Sequence, residues 1–209
     1  MGVIVVPIQN LRIGATFTTP MRYVMTDRWY ESMRNYGVGS SETPDGLYKY
    51  RIYTPARFSV GAAFTAAGRF LLSADFEAVN YSKVRMQESG GNDGSFSQDN
   101  TEIRKTFKSA YVARVGAEFN VIPALAIRAG YNFYSPVSNS TGYNKNNHYV
   151  SAGIGYRFTP RITLDLAYQY QFAASNKFTL YSDYEGFSAP IGTATNKANN
   201  LLVTLRFKI

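Results

Sequence analysis

The sequence predicts an all-β chain, an antiparallel transmembrane β-barrel of which about eight strands are present. Three observations point there. Segments of about ten residues alternate apolar and polar with the apolar row unbroken. The connections between them alternate short and long. Aromatics are abundant, with 17 Tyr and 14 Phe against 1 Trp in 209 residues, as the interfacial girdles of a barrel require.

The alternating segments run in order along a single β domain spanning residues 1–209. They are Leu11–Phe17, Arg57–Phe64, Phe70–Glu77, Tyr111–Phe119, Leu125–Phe133, Tyr149–Phe158, Ile162–Phe172 and Leu201–Ile209. Successive strand side chains point to opposite faces. The last segment therefore sets Leu201, Val203, Leu205, Phe207 and Ile209 on one face, with Leu202, Thr204, Arg206 and Lys208 on the other. Val3–Val6 reads as the end of a further strand cut short. No segment shows helical periodicity, and glycine recurs inside the strands.

Short links fall at Thr65–Arg69, Asn120–Ala124 and Thr159–Arg161, with Pro7–Asn10 ahead of the first full strand. Long ones fall between Phe17 and Arg57 and at Val84–Lys108, Ser135–His148 and Ala173–Asn200. That asymmetry is the periplasmic and extracellular rims of a bacterial barrel, with the C-terminus on the periplasmic side. Met21–Tyr30 and Leu47–Tyr53 keep alternating beyond the span a bilayer needs. They are expected to form one tall hairpin with Pro20 and Pro55 at its base, and Gly90–Gly94 to be a mobile loop tip.

Bulk properties narrow the function. Mean hydropathy is −0.23, and no run of 18 apolar residues exists for a transmembrane helix, which leaves a barrel open. The net charge of +8 is spread one or two residues per strand rather than clustered, so nucleic acid is not an expected partner. Cysteine is absent. The N-terminus lacks the features of a signal peptide, so the chain is read as a fragment of a longer outer-membrane protein.

The polar row carries Arg12, Arg57, Asp75, Glu77, Arg114, Glu118, Arg128, Arg157, Asp165 and Arg206, with Gly14, Gly61, Gly116, Gly130, Gly153 and Gly155 beside them. Facing lipid, each mid-bilayer Arg would cost about 2–4 kcal/mol, so this row belongs inside as a polar track. Cross-strand charge neutralisation accounts for most of these residues. Tyr23, Met25, Trp29, Tyr30, Tyr48 and Tyr50 in the tall hairpin are candidates for an outer hydrophobic groove.

No cofactor, metal or catalytic site is expected. His148 is the one histidine, without the partners a metal site or a catalytic set needs. Gly153-Ile-Gly155 lacks the third glycine and the helix of a dinucleotide fingerprint. Asp93, Asp99 and Glu102 lack the rhythm of a calcium loop. Asp75 and Glu77 read as lumen ion-pair partners rather than a glycosidase pair.

The order of motifs resembles one family. Asn10-Leu-Arg-Ile-Gly-Ala-Thr-Phe-Thr-Thr-Pro20 is similar to the N-L-R-L-G-x-S-Y-x-S-P strand of the FadL/TodX-type outer-membrane transporters of long-chain fatty acids and hydrocarbons. Thr54–Phe64 resembles the family's P-x-x-x-S-L-G-x-A-Y strand. Leu71–Glu77, Arg114–Phe119, Leu125–Tyr131, Gly153–Phe158 and Leu164–Tyr168 follow in the expected order, and the resemblance covers residues 10 to 209. Ile209 stands where an aromatic is usual, with Phe207 two residues earlier.

The resemblance implies the C-terminal part of a 14-stranded barrel in the bacterial outer membrane. Such a barrel is plugged by an N-terminal hatch and passes hydrophobic small molecules without covalent chemistry. Its partners would be the ligand, the lipid bilayer and the missing N-terminal part of the same barrel. Two other architectures fit the residues less well. One is a complete eight-stranded barrel serving as anchor or adhesin. The other is a soluble lipocalin-like binder with its aromatics turned inward.

Overall fold

The computed structural model describes residues 1–140, 145–181, 183–184 and 186–208. Ile209 lies outside them, as does part of the Ser135–His148 link. Among the described residues, nine strands form one antiparallel sheet in the order β1-β2-β7-β8-β10-β11-β12-β13-β14. These are β1 (Gly2–Ile8), β2 (Leu11–Thr18), β7 (Arg57–Ala66), β8 (Phe70–Asn80), β10 (Ser109–Ile122), β11 (Leu125–Tyr134), β12 (Asn147–Thr159), β13 (Ile162–Thr179) and β14 (Ile191–Phe207). Every neighbour in this sheet is also its neighbour in sequence along the ladder, the meander of an up-and-down barrel. The first and last strands do not pair with each other, so the sheet is open.

The Val3–Val6 remnant is a ninth strand, with Val3 to Val5 pairing Ala15 to Ile13 in register. The four short links are tight turns on one rim. All longer connections leave from the other.

Inward and outward faces separate cleanly. Side chains from β1 to β13 line one trough of about 1120 Å³, so the sheet curls around its polar row. The apolar row is convex and exposed: Phe76, Val115, Ile127, Ile154, Leu166 and Val203 are all solvent-facing. Among the described residues the fully buried apolar ones are Val79 and a few alanines, so the described sheet is not built around a conventional core. The opposite arrangement, a calyx of Phe and Tyr with charges outward, is not what the chain adopts.

Aromatics bracket the convex face. Phe64, Phe70, Phe119, Phe158 and Phe207 lie towards the short turns, and Phe17, Phe58, Tyr111, Tyr168 and Phe172 towards the long connections; all are exposed. From Ile162 to Phe172 is ten residue steps, about 33 Å of strand. At a tilt near 40° that spans about 25 Å, the height of an outer-membrane apolar band.

The tall hairpin forms as expected and acquires a third strand. β3 (Arg22–Trp29) pairs β6 (Gly46–Tyr53), and β6 pairs β9 (Arg85–Glu88). β4 (Ser32–Asn35) and β5 (Gly39–Glu42) make a smaller hairpin at its tip. The ladder breaks around Pro20 and Pro55, where the Thr54 hydroxyl takes the Met21 N–H at 2.9 Å. Register is kept across the break: Thr18 pairs Arg57 below it and Arg22 pairs Tyr53 above.

Three features depart from the sequence reading. Ala173–Asn200 is largely not a loop, because β13 and β14 continue upward as a second tall hairpin past a bulge between Gln171 and Ala174. Neither face of that extension meets the hydrocarbon interior of the bilayer, so no apolar row marks it. The 90–94 tip is tied down: Gly91 N–H donates to Glu88 O at 2.9 Å, and Arg85 Nη2 donates to Asp93 at 2.6 Å. A helix also exists, α1 (Ser97–Thr106). Its Asp99 near the N-terminus and Arg104 and Lys105 near the C-terminus complement the helix dipole. Asn100, 1% exposed, docks it on β9 by accepting from Met86 N–H and donating to Met86 O, both at 2.8 Å.

Candidate functional site: a charged trough below an aromatic face

The trough brings most of the polar row together. Glu118 pairs Arg128 across β10 and β11, and Arg128 Nε donates to Glu118 Oε2 at 2.6 Å. The same guanidinium donates through Nη1 to Asp165 Oδ1, also at 2.6 Å. Arg206 closes the ladder, donating to Asp165 Oδ2 from Nε at 3.0 Å and Nη2 at 2.6 Å. Glu118, Arg128, Asp165 and Arg206 thus form one chain of charge spanning β10 to β14.

That chain crosses β12 only because of a glycine. A Cβ on Gly155 would stand 2.5 Å from Asp165 Oδ1 and 2.9 Å from Arg128 Nη1. Gly155, paired with Asp165, is the gap through which Arg128 reaches across an intervening strand.

Nearer the long-connection rim, Arg114 pairs Asp75 at 2.8 Å, with its guanidinium 5.9 Å over the Tyr134 ring. Arg57 pairs Glu77 at 3.4 Å. Asp75 and Glu77 are therefore engaged with separate arginines. Between the two charged levels lies a band of small residues, in which Gly116 pairs Gly130 and Ser73, and Gly130 pairs Ser151. Arg12 lines the trough, while Arg157 is exposed beside the short-turn rim. Neither has an ion pair among the described residues.

Five of the six groove candidates share one face of the upper sheet. Met25 pairs Tyr50, and Tyr23 and Trp29 stand two and four residues from Met25 on the same side, opposite Ile52 and Gly46. Trp29 lies against Gly46, where any Cβ would meet its ring. Tyr48 and Tyr50 stack with centroids 6.0 Å apart, and Phe96 packs on both at 5.9 and 5.5 Å. Tyr30 falls beyond the end of β3 and is not part of the face.

The sequence reading missed Phe96, and with it the fact that the turn before α1 covers part of this face. It also missed two carboxylates there, Asp27 opposite Tyr48 and Glu88 opposite Tyr50. Strand parity alone could have found Asp27.

Charge divides sharply between the two faces of this sheet. Arg22, Arg28, Lys49, Arg51 and Arg85 all fall on the face opposite Tyr23, Met25, Trp29, Tyr48 and Tyr50, together with Tyr53. Burial, then the neighbouring Asp27 carboxylate, raise the Tyr50 phenol above its usual value. The Ser95 N–H and hydroxyl hold Glu88 below the usual carboxylate range. Arg85 does the same for Asp93.

His148 sits on the convex face, its Nδ1 2.7 Å from the Tyr131 hydroxyl. Asp93 is taken by Arg85 and Glu102 by Lys105. Among the described residues no group of acidic or histidine side chains is arranged to hold a metal.

An open, curled antiparallel sheet with a bilayer-high apolar outside and an ion-paired inside defines an outer-membrane β-barrel protein. Residues 1–208 match the family described as outer membrane protein transport protein (OMPP1/FadL/TodX), and the chain belongs to that family. It is 23% identical over 144 residues to the 47 kDa outer membrane protein of Pasteurella multocida (strain Pm70), covering 67% of this chain and 32% of that one.

Its fold is similar to a Pseudomonas aeruginosa FadL homologue, with TM-score 0.59, 15% identity and 86% of this chain matched to 45% of that one. The Ralstonia pickettii toluene transporter TbuX matches at TM-score 0.56 and 14% identity, over 99% of this chain and 46% of its own. The TodX deltaS2S3 mutant monoaromatic hydrocarbon channel matches at 0.60 and 16%, over 99% and 49%. The chain spans about half the length of these solved proteins. It is an outer-membrane protein of a family that transports hydrophobic compounds.

Proposed function

We propose that this chain is the C-terminal part of an outer-membrane channel for hydrophobic small molecules, closed by further strands and an N-terminal hatch of the same protein. The observation that carries this is the coincidence of Tyr23, Met25, Trp29, Tyr48 and Tyr50 on one face, on the long-connection side of an ion-paired trough. An aromatic surface in contact with water captures apolar solutes. The trough below needs no reacting group, because the channel acts by passage and not by covalent chemistry. Its paired charges keep the passage wet and held open.

Between the family's two ligand types, long-chain fatty acids and hydrocarbons, the charge on the capturing face favours uncharged hydrocarbons. Asp27 and Glu88 share it, and no Lys or Arg of β3, β6 or β9 does. A fatty-acid carboxylate arriving there would meet like charge.

The test is uptake by cells lacking their own channels of this kind and expressing the full-length protein. Labelled toluene and labelled oleate are supplied separately. Toluene uptake is expected to exceed oleate uptake, and Trp29→Ala with Tyr48→Ala to slow it severalfold at low concentration while saturating uptake is retained. Assembled protein that admits neither molecule would overturn the transport reading. Oleate admitted faster than toluene would overturn only the preference.

A further inference from the structure

The convex face of the β13–β14 hairpin carries a second pattern, on the outside of the sheet and separate from the ligand route. Below the bulge its outward row continues the bilayer-facing one, through Leu166, Tyr168, Tyr170 and Phe172 on β13. Beyond the bulge Ala174 is buried while Ser175, Lys177 and Thr179 are exposed, so the outward row shifts by one residue and continues in Ser175 and Lys177. On β14, Asn196 pairs Ala174 and Ala198 pairs Gln171. Lys197 between them therefore points outward opposite the bulge. Thr195 and Thr193 follow on the same side, paired with Ser175 and Lys177.

We propose that this strip binds the phosphate groups of the outer leaflet's glycolipid headgroups. Height is the first argument. Lys177 lies five residues past Phe172, about 12 Å above the aromatic belt along the bilayer normal. Lys197 lies level with the belt's upper edge. Lysine stems lie along apolar surface while their ammonium groups reach the headgroup layer, so both reach phosphates at that level.

Charge is the second argument. β12 and β14 contain no Asp or Glu, and the one acid of β13, Asp165, points into the trough. Lys177 and Lys197 have no ion pair among the described residues. In the trough, by contrast, all four acids are matched by arginines. Two cations without an ion pair among the described residues, on strands whose outward face carries no acid, fit an anionic layer.

Donors fill the space between and beside the lysines. The Ser175 and Thr195 hydroxyls stand 2.8 Å apart between Lys197 and Lys177. Along the belt, His148 pairs Phe133 and, in the register that joins Tyr149 to Gln171, stands beside Phe172. Its ring contacts Phe133 at 5.4 Å, and Tyr131 engages its Nδ1, leaving the other ring nitrogen for the headgroup layer. Because the strip continues the bilayer-facing row, it faces outward however the barrel is completed.

Native mass spectrometry of the detergent-purified, full-length protein, titrated with bis-phosphorylated lipid A, tests this. The wild type should retain the lipid, and Lys177→Gln with Lys197→Gln should weaken binding roughly tenfold. Lys208→Gln, a charge removed from the opposite rim, should leave binding unchanged. Fully dephosphorylated lipid A should bind the wild type no better than the phosphorylated form binds the double variant. Equal binding by wild type and double variant, an equal loss from Lys208→Gln, or indifference to the phosphates would each overturn the proposal. None of these outcomes depends on whether the channel passes toluene.

Discussion

The bilayer-level sheet and the structure standing above it are built from the same alternating strands but held by different forces. In the lower sheet, lipid on one side and water on the other assign each residue to a face, and a wrong assignment is costly. In β3, β6 and β9 water reaches both faces, and only Phe96 covers part of one. Alternation there separates the Tyr48 and Tyr50 face from the cations with little burial, and the unit is held instead by local polar contacts such as Asn100 on Met86. Stability below comes from medium and register, and stability above from individual hydrogen bonds and rings.

The largest expected difference between the regions follows from one substitution made twice. Val115→Arg, mid-strand on the convex face, should cost about 2–4 kcal/mol of folding stability in vesicles. Val24→Arg in the upper sheet should change it by no more than about 0.5 kcal/mol. Urea unfolding of the protein refolded in vesicles measures both, and equal costs would break the distinction.

Gly155→Ala asks how far the lower sheet depends on reach across a strand. Its Cβ would occupy the space used by Asp165 and Arg128, and an overpacking cost of about 1–3 kcal/mol is expected. Ala152→Gly, a neighbouring change on the outer face that adds no atoms, should cost less in the same assay.

Asn100→Ala should act locally. It leaves the Met86 N–H and C=O without their partner, a loss of about 1–3 kcal/mol. The effect should be confined to β9 and α1. Hydrogen exchange should show faster amide exchange at Met86, with rates in β10 to β13 unchanged.

The smallest effect is that of pH on the same unit. Glu88 and Asp93 have folded-state values below their unfolded ones. Their contribution is therefore complete above the ordinary carboxylate range and is lost as pH falls through the lowered values. Measured against the intrinsic rate at each pH, protection of the amides around Ser95 and α1 should fall on acidification from pH 6 to pH 3. Glu88→Gln should remove part of that dependence.

The same contrast explains what the sequence discloses. The strands of the lower sheet are legible because lipid punishes a misplaced charge, so Leu11–Phe17 or Leu125–Phe133 must show a clean row. The upward extension of β13 and β14 is not legible, since Ser175, Lys177, Thr193 and Thr195 suit a strand in water as well as a loop. α1 hides because Ile103 is its one apolar residue and its anchor is an asparagine; the charges at its two ends were the available signal. For the site, strand parity places Tyr23, Met25, Trp29, Tyr48 and Tyr50 together. The link from Arg128 to Asp165 across Gly155 needs the register of three strands, which one sequence does not supply. Residue type likewise does not say that Arg12 and Arg157 stand apart from the ion pairs.

The central claim is that the charged concave face meets water and the apolar convex face meets lipid. This chain has no cysteine; in the full-length protein in bilayers, with any cysteine elsewhere replaced by serine, single cysteines at Ser73, Asn132 and Ser151 on the concave face, and at Ala74, Ala129 and Ala152 on the convex face, can be spin-labelled. Collision with a water-soluble nickel complex should be higher at the first three, and collision with oxygen higher at the second three. Alternation in the opposite sense, or none, would contradict the account.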